Sequence, residues 1–383
     1  MARQAFWKAR WFADLPQGPR RANPKYKQRS RKPWTNDDLK QLKILPQENT
    51  PTGVTSLKLR RPGSRERSQI TVRTRSVGRQ AANLAKQFIV SIAGRRLLNL
   101  RFLFGAHLAF QPGHFYSPIC NARDLSRHYQ DPRDLPQAAD LPGIVLDESA
   151  QRHLWDEWGP FLSEMPFKAT SEPGFRYNFD NRSFGPGDAT VFYCMLRHLK
   201  PKRLIEIGCG YSSACALDTI DLNLSAEVQC TFIDPFPSQL MSLLKPSDSG
   251  HVQIIEKPVQ EIDLRIFDAL DENDILFIDS SHIVKTGSDV NFELFKILPR
   301  LRKGVVVHIH DIHYPFEYPR DWVIERNYSW NEVYAVRAFL MYNSSFEVLF
   351  FNDRFGQLCG ELVARDAPAM SENYGSGLWL LRR

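Results

Sequence analysis

With 383 residues, 43% of them hydrophobic and 12% aromatic, the chain has material for one sizeable core plus an appended segment. The net charge of +7 averages two unlike pieces: residues 1–100 carry 23 Lys/Arg against 5 Asp/Glu, a net of +18, and the other 283 carry 27 against 38, a net of −11. Six cysteines without a Cys-x-x-Cys pair argue against a zinc site and fit reduced thiols in a cytoplasmic protein, and the N-terminus lacks the continuous apolar core of a signal peptide.

Residues 1–33 are rich in Arg, Lys and Pro, with Pro16, Pro19, Pro24 and Pro33, a composition that predicts disorder. The run from Lys32-Pro33-Trp34-Thr35 to Leu42 predicts a helix capped by Thr35, with Asp37 and Asp38 at its positive end, and a second short helix fits 52–59. Residues 32–60 resemble the start of a Myb or SANT-like helix-turn-helix module. The DNA-reading third helix has no counterpart, because 60–79 lacks an apolar stripe and contains Pro62, Gly63 and Gly78. A tail of this charge attracts nucleic acid at low salt through counterion release, without sequence preference. The most apolar early stretch, 88–110, is broken by Arg95, Arg96 and Arg101, too many charges for a membrane span of about 20 residues, and reads as an amphipathic helix.

Residues 111–200 read as a lid region with helices over 148–162 and 189–199, and the aromatic, amide-rich loop 175–181 is placed to cover an acceptor pocket. An apolar run, Arg203 to Ile207, then enters Gly208-Cys209-Gly210-Tyr211-Ser212-Ser213, the pattern of a buried strand, a tight turn and a helix. Gly208 and Gly210 can take positive φ and carry no Cβ, so a ligand can lie close to the backbone, and Ser212 and Ser213 suit the helix cap. There is no third glycine in dinucleotide register and no Gly-Lys-Ser/Thr phosphate grip. Further strands are expected over 228–234, 274–279 and 304–311, with helices over 291–301 and 330–342 and a closing strand pair over 346–351 and 377–381. A cap on the next helix is the ordinary role of one strand-terminal acid, but Glu206, Asp234, Asp279 and Asp311 are four in succession.

The string Glu206-Ile207-Gly208-Cys209-Gly210-Tyr211-Ser212-Ser213 resembles motif I of the class I S-adenosylmethionine-dependent methyltransferases. From about Pro112 onward the chain is similar to a bacterial branch of that family, through Gly113-His114-Phe115-Tyr116-Ser117-Pro118, Phe277-Ile278-Asp279-Ser280-Ser281-His282 and His308-Ile309-His310-Asp311. The resemblance implies an α/β fold, a Rossmann-like, doubly wound, seven-stranded sheet behind a basic N-terminal extension. The implied division is 1–82 extension, 83–187 lid and linker, and 188–383 methyltransferase domain. It also implies S-adenosylmethionine bound by Glu206, Gly208, Gly210, Tyr211 and Ser212, by Asp234 at the ribose, and by Asp279 and Ser280 beside the methyl group.

Methyl transfer from a sulfonium is a direct displacement, so alignment of acceptor, methyl and sulfur is the enzyme's main contribution. His282 is the first candidate for the base that takes the acceptor's proton, and His310, beside Asp311, is the second. Asp279 and Asp311 end neighbouring strands, so magnesium or manganese between them could acidify a hydroxyl. His282 could complete such a site and widen the choice toward manganese or iron. Ile312 stands where catechol-type enzymes place an amide after the second acid, and the Asn-Pro-Pro-Tyr type loop of many nitrogen methylators is absent after Asp279. The expected reaction is O-methylation of a small molecule or glycan. The competing readings are a nucleic-acid-binding or regulatory protein with a methyltransferase-like platform, and a metal-dependent hydroxylase.

Overall fold

The computed structural model describes residues 110, 113–131, 141–224 and 228–383. The Myb-like stretch 32–60, the whole extension 1–82 with its nucleic-acid reading, and all but the last residue of the 88–110 helix lie outside the described residues.

Seven strands form one sheet: β1 (Arg203–Ile207), β2 (Gln229–Ile233), β3 (Val252–Ile255), β4 (Ile275–Ile278), β5 (Val306–Ile309), β6 (Phe346–Phe351) and β7 (Leu378–Arg382). Their order is β3-β2-β1-β4-β5-β7-β6, with β1 to β5 parallel and β7 antiparallel to both β5 and β6. This is the doubly wound, Rossmann-like sheet of the class I methyltransferases. The order reverses between β1 and β4, and at such a switch point the crossovers diverge and leave a crevice beyond the strand C-termini.

Period-two alternation explains why these strands are buried on both faces. Leu204, Phe232, Ile275, Phe277 and Val306 join Trp155, Trp158, Phe192 and Trp379 on one side, whereas Ile205, Ile207, Leu276, Ile278, Val307 and Ile309 join Phe267, Tyr318 and Val336 on the other. Phe277 is fully buried. Truncating such a side chain to alanine costs about 3–5 kcal/mol.

Among the described residues the helices are α1 (Ala122–Leu125), α2 (Glu148–Glu157), α3 (Gly159–Ser163), α4 (Pro186–Leu199), α5 (Tyr211–Asn223), α6 (Ser238–Leu243), α7 (Asp289–Phe292), α8 (Glu332–Leu340), α9 (Asn352–Leu358) and α10 (Gly360–Asp366). The single helix expected over 148–162 is two, because Gly159-Pro160 restarts the chain after Trp158. The helix expected over 291–301 begins earlier, where Ser288 Oγ accepts the Asn291 N–H at 3.2 Å, and continues as a π turn (Glu293–Ile297) and a 3₁₀ turn (Leu298–Arg300). Strand β3 and helices α9 and α10 have no counterpart in the sequence reading. β3 is a four-residue edge strand, and Gly356 and Gly360 dilute the helical signal of the other two. All six cysteines are free, and no helix among the described residues is long and apolar enough to cross a membrane.

Candidate active site

Gly208 follows β1 with φ +80, and a Cβ there would stand 1.8 Å from the Asp279 carbonyl oxygen. The backbone of the neighbouring strand end, rather than a ligand, therefore excludes any other residue at this position. Gly210 departs from expectation, since its φ of 175 is ordinary extended backbone. The expected serine cap is also different. Gly210 is the N-cap, Ser213 Oγ reaches back to accept the Gly210 N–H at 3.1 Å, and Ser212 Oγ donates to Glu206 instead. Tyr211 opens α5 and is partly exposed.

Glu206 lies inside β1 rather than beyond it and is fully buried. Its Oε1 accepts from Ser212, while Oε2 has no partner among the described residues. Burial pushes this carboxyl up to about 8, against the pull of the Ser212 and Ser213 hydroxyls. Asp234 follows β2 and braces the turn from the side: Oδ2 accepts the Cys209 N–H at 3.0 Å and Oδ1 the Phe236 N–H at 2.6 Å. The residue is partly exposed.

The ends of β4 and β5 bring the other expected residues together. His282 is 5% exposed; its Nε2 lies 3.4 Å from Asp279 Oδ1 and 3.5 Å from Asp311 Oδ2, and its Nδ1 lies 2.8 Å from Glu332 Oε2. One ligand atom each from Asp279, His282 and Asp311 falls within 4.8 Å of the others. His282 and Asp311 both sit in the left-handed region, at φ 58 and 57, where a side chain is held only by surrounding structure. Asp311 Oδ1 also accepts the Ser376 hydroxyl at 2.9 Å.

Burial opposes the charged forms throughout, and the charges decide which groups stay ionised. Asp279, Glu332 and Asp311 hold the His282 imidazole well above its usual range, and His310 and His282 hold Asp279 below the usual carboxylate range despite burial. Burial raises Glu332, and nearby Asp279 and Asp311 add to it. An imidazole already charged at neutral pH is a poor proton acceptor, which counts against His282 as a free base in a site without a cation.

His310 is 3% exposed, with its ring 5.4 Å from that of Phe184 and its Nε2 3.7 Å from Asp311 Oδ1. Its pKa is raised against burial by Asp279, Asp311 and Asp188. His308 stacks on Phe277 at 4.0 Å, and burial lowers it well below the ordinary value, so it is a neutral core residue. His313 pairs with Asp353 at 3.6 Å, away from the cluster's hydrogen bonds. Ser280 Oγ donates to Glu293 Oε2 at 3.1 Å, and Glu293, 1% exposed, is pushed up by burial and then by Glu332.

Sequence reasoning missed Glu293, Glu332 and Asp188. Each lies in the first turn of a helical segment, where an acid also complements the helix dipole, so its burial among other acids is invisible in one dimension. Two cavities lie elsewhere. One of about 370 Å³ lies along the first residues of β1 to β3 near Arg203 and His251, and one of about 570 Å³ lies beside β6 near Ile144 and Tyr342. Neither touches the strand-end cluster.

Residues 205–312 match a family model described as a methyltransferase domain. That span begins one residue before Glu206 and ends one after Asp311. An uncharacterised protein of Archaeoglobus fulgidus is 29% identical over 168 residues, 43% of this chain and 75% of that protein. Among solved structures, an SAH-bound methyltransferase from Podospora anserina is 16% identical, covering 63% of this chain and 90% of its own, at a TM-score of 0.34. An O-methyltransferase of Streptomyces achromogenes involved in tomaymycin synthesis, in complex with SAM, is 15% identical, covering 62% and 91%, at a TM-score of 0.31.

Proposed function

We propose that this chain transfers a methyl group from S-adenosylmethionine to an oxygen of a small-molecule or glycan acceptor, at a site that also holds a divalent cation. The observation that supports the reading most directly is a convergence on one sheet edge. There the Gly208–Gly210 turn, braced by Asp234, meets the Asp279, His282 and Asp311 cluster at the β1/β4 switch point.

In this reading Asp234, partly exposed beside the turn, accepts the ribose hydroxyls, and Gly208, Gly210, Tyr211 and Ser212 line the turn. Glu206 acts from beneath: its orphaned Oε2 and raised pKa mark a buried acid that a nearby cationic group would stabilise as the carboxylate. Asp279 and Ser280 close the floor. S-adenosylmethionine supplies an electrophilic methyl group on a sulfonium, and the residues above hold it still.

Asp279, Asp311 and His282 Nε2 would hold the cation. The donor set is one nitrogen and two carboxylates, which suits manganese or ferrous iron better than magnesium. Bound there, a divalent ion would polarise the acceptor hydroxyl and ease loss of its proton. His282 is then a ligand rather than a free base, and His310 stands behind Asp311, its Nε2 3.7 Å from Oδ1.

A thermal shift tests the reading. At a hundredfold excess over its dissociation constant, S-adenosylmethionine should raise Tm by about 5–10 °C, and Asp234→Ala should abolish the shift. Labelled cofactor incubated with a metabolite extract should give a labelled product in the wild type. A full shift in Asp234→Ala, or none in well-folded wild type, contradicts the assignment. Deleting residues 1–82 should leave methyl transfer intact; loss of transfer would favour the competing reading in which the extension carries the function.

A further inference from the structure

We infer that Glu332 is a positioning residue for the cation site, fixing the His282 imidazole so that Nε2 presents its lone pair between Asp279 and Asp311. The inference rests on the cation reading above.

An imidazole that ligates a metal through one nitrogen carries its proton on the other, and the hydrogen bond at that second nitrogen sets the tautomer. Nδ1 of His282 lies 2.8 Å from Glu332 Oε2, a group that as a carboxylate can only accept. The proton therefore belongs on Nδ1. Nε2 faces the two acids at 3.4 and 3.5 Å.

The grip extends to the backbone. The His282 carbonyl accepts the N–H groups of both Asn331 (3.1 Å) and Glu332 (3.2 Å), and Trp330 lays its ring 4.5 Å from the imidazole. Asn331 brackets Val284, accepting its N–H at 2.6 Å and donating to its carbonyl at 3.3 Å. A helix start leaves several N–H groups without intrahelical partners, and here two of those donors are committed to the one residue with φ 58 that follows β4. Residues 330–332 thus form a mould for His282, in which Glu332 supplies the direction of the ring.

Stability alone does not explain this arrangement. Glu332 is 2% exposed, and a buried ion pair is commonly no more stabilising than apolar residues of the same volume. Orientation of a ligand gives the buried acid a purpose. It also makes the amide variant informative, because a glutamine oxygen still accepts from Nδ1–H.

Equilibrium dialysis against Mn²⁺, with metal quantified by mass spectrometry, should be run on the full chain for wild type, Glu332→Ala, Glu332→Gln and Asp279→Asn. Removal of such an outer partner should weaken binding by about 10–100-fold in Glu332→Ala. Glu332→Gln should retain most of the affinity, and Asp279→Asn should lose it. Nitrogen-15 NMR of the Zn²⁺-loaded wild type should show a protonated Nδ1 on His282. Unchanged Mn²⁺ affinity in folded Glu332→Ala would overturn the inference while leaving the cation reading intact. A loss in Glu332→Gln as deep as in Glu332→Ala would also overturn it, since charge and not orientation would then be decisive. If Glu332→Ala does not fold, the NMR decides, and an unprotonated Nδ1 overturns the inference. No Mn²⁺ binding by the wild type, alike in Asp279→Asn, would remove the cation reading and this inference with it.

Discussion

Two clusters of buried charge in this molecule are built on opposite principles. In the first, Arg176, whose side chain is 1% exposed, meets Asp218 at 2.6 Å, Asp221 at 2.8 Å and Asp248, while its backbone N–H donates to Asp218 at 2.7 Å and Lys245 adds a second cation at 3.2 Å. No polar atom of Arg176, Asp218 or Asp248 is buried without a partner among the described residues. In the second, Asp279, Asp311 and Glu332 converge on His282, with His310 3.7 Å from Asp311, beside Glu293 and Glu206, each of which has a buried oxygen unpartnered among the described residues. The first cluster is satisfied internally and ties the loop that carries Tyr177 to α5. Both have more carboxyls than cations, but the second also has two buried carboxyl oxygens without a partner among the described residues and two residues in the left-handed region, features that gather at functional sites.

The comparison predicts opposite responses to mutation. The largest effect is expected at Arg176→Met, which strands two buried aspartates and should cost roughly 3–5 kcal/mol in urea unfolding. Methyl transfer by the fraction that stays folded should be little changed. Asp279→Asn should act mainly on transfer: kcat/KM lower by on the order of 10²–10³, with a stability loss smaller than that of Arg176→Met, because Asp279 is partly exposed and His282 keeps Glu332 and Asp311 as partners. Equal losses of stability in the two variants would erase the distinction drawn here.

A smaller effect sharpens the contrast by pH. Glu206, raised to about 8 from an ordinary 4.5, keeps its proton in the fold over a range where the unfolded chain releases it. Its contribution to stability is complete below pH 4.5 and is lost as pH rises to about 8, by roughly 3–5 kcal/mol as an upper figure. Glu206→Gln should flatten the stability profile across that window and exceed wild type above pH 8, measured by urea unfolding at several pH values. A wild-type profile indifferent to pH there would mean Glu206 is ionised and compensated.

Much of this was legible in one dimension, and what was not has physical causes. Strands β1, β4 and β5 announce themselves because burial on both faces makes them mainly apolar runs; the acids after β4 and β5 mark their ends, whereas Glu206 falls inside β1. Gly208 is legible as a glycine, but the reason for it, the Asp279 carbonyl of a strand 67 residues further on, appears only when the two strands pair. Ser212 has the composition of a cap and serves Glu206 instead, because Gly210 holds the N-cap position and Ser212 falls inside the helix. Glu332 is the instructive miss. From sequence it is an acid at a helix start, and only folding across 50 residues turns it toward His282 Nδ1.

The central claim, that the carboxyl edge of the sheet at the β1/β4 switch point is a cofactor site, is tested most directly by calorimetric titration of S-adenosylmethionine into the wild type and Asp234→Ala. The account predicts a saturable isotherm with one site per chain in the wild type and none in the variant. Absence of binding by well-folded wild type, or identical isotherms for the two proteins, would contradict it.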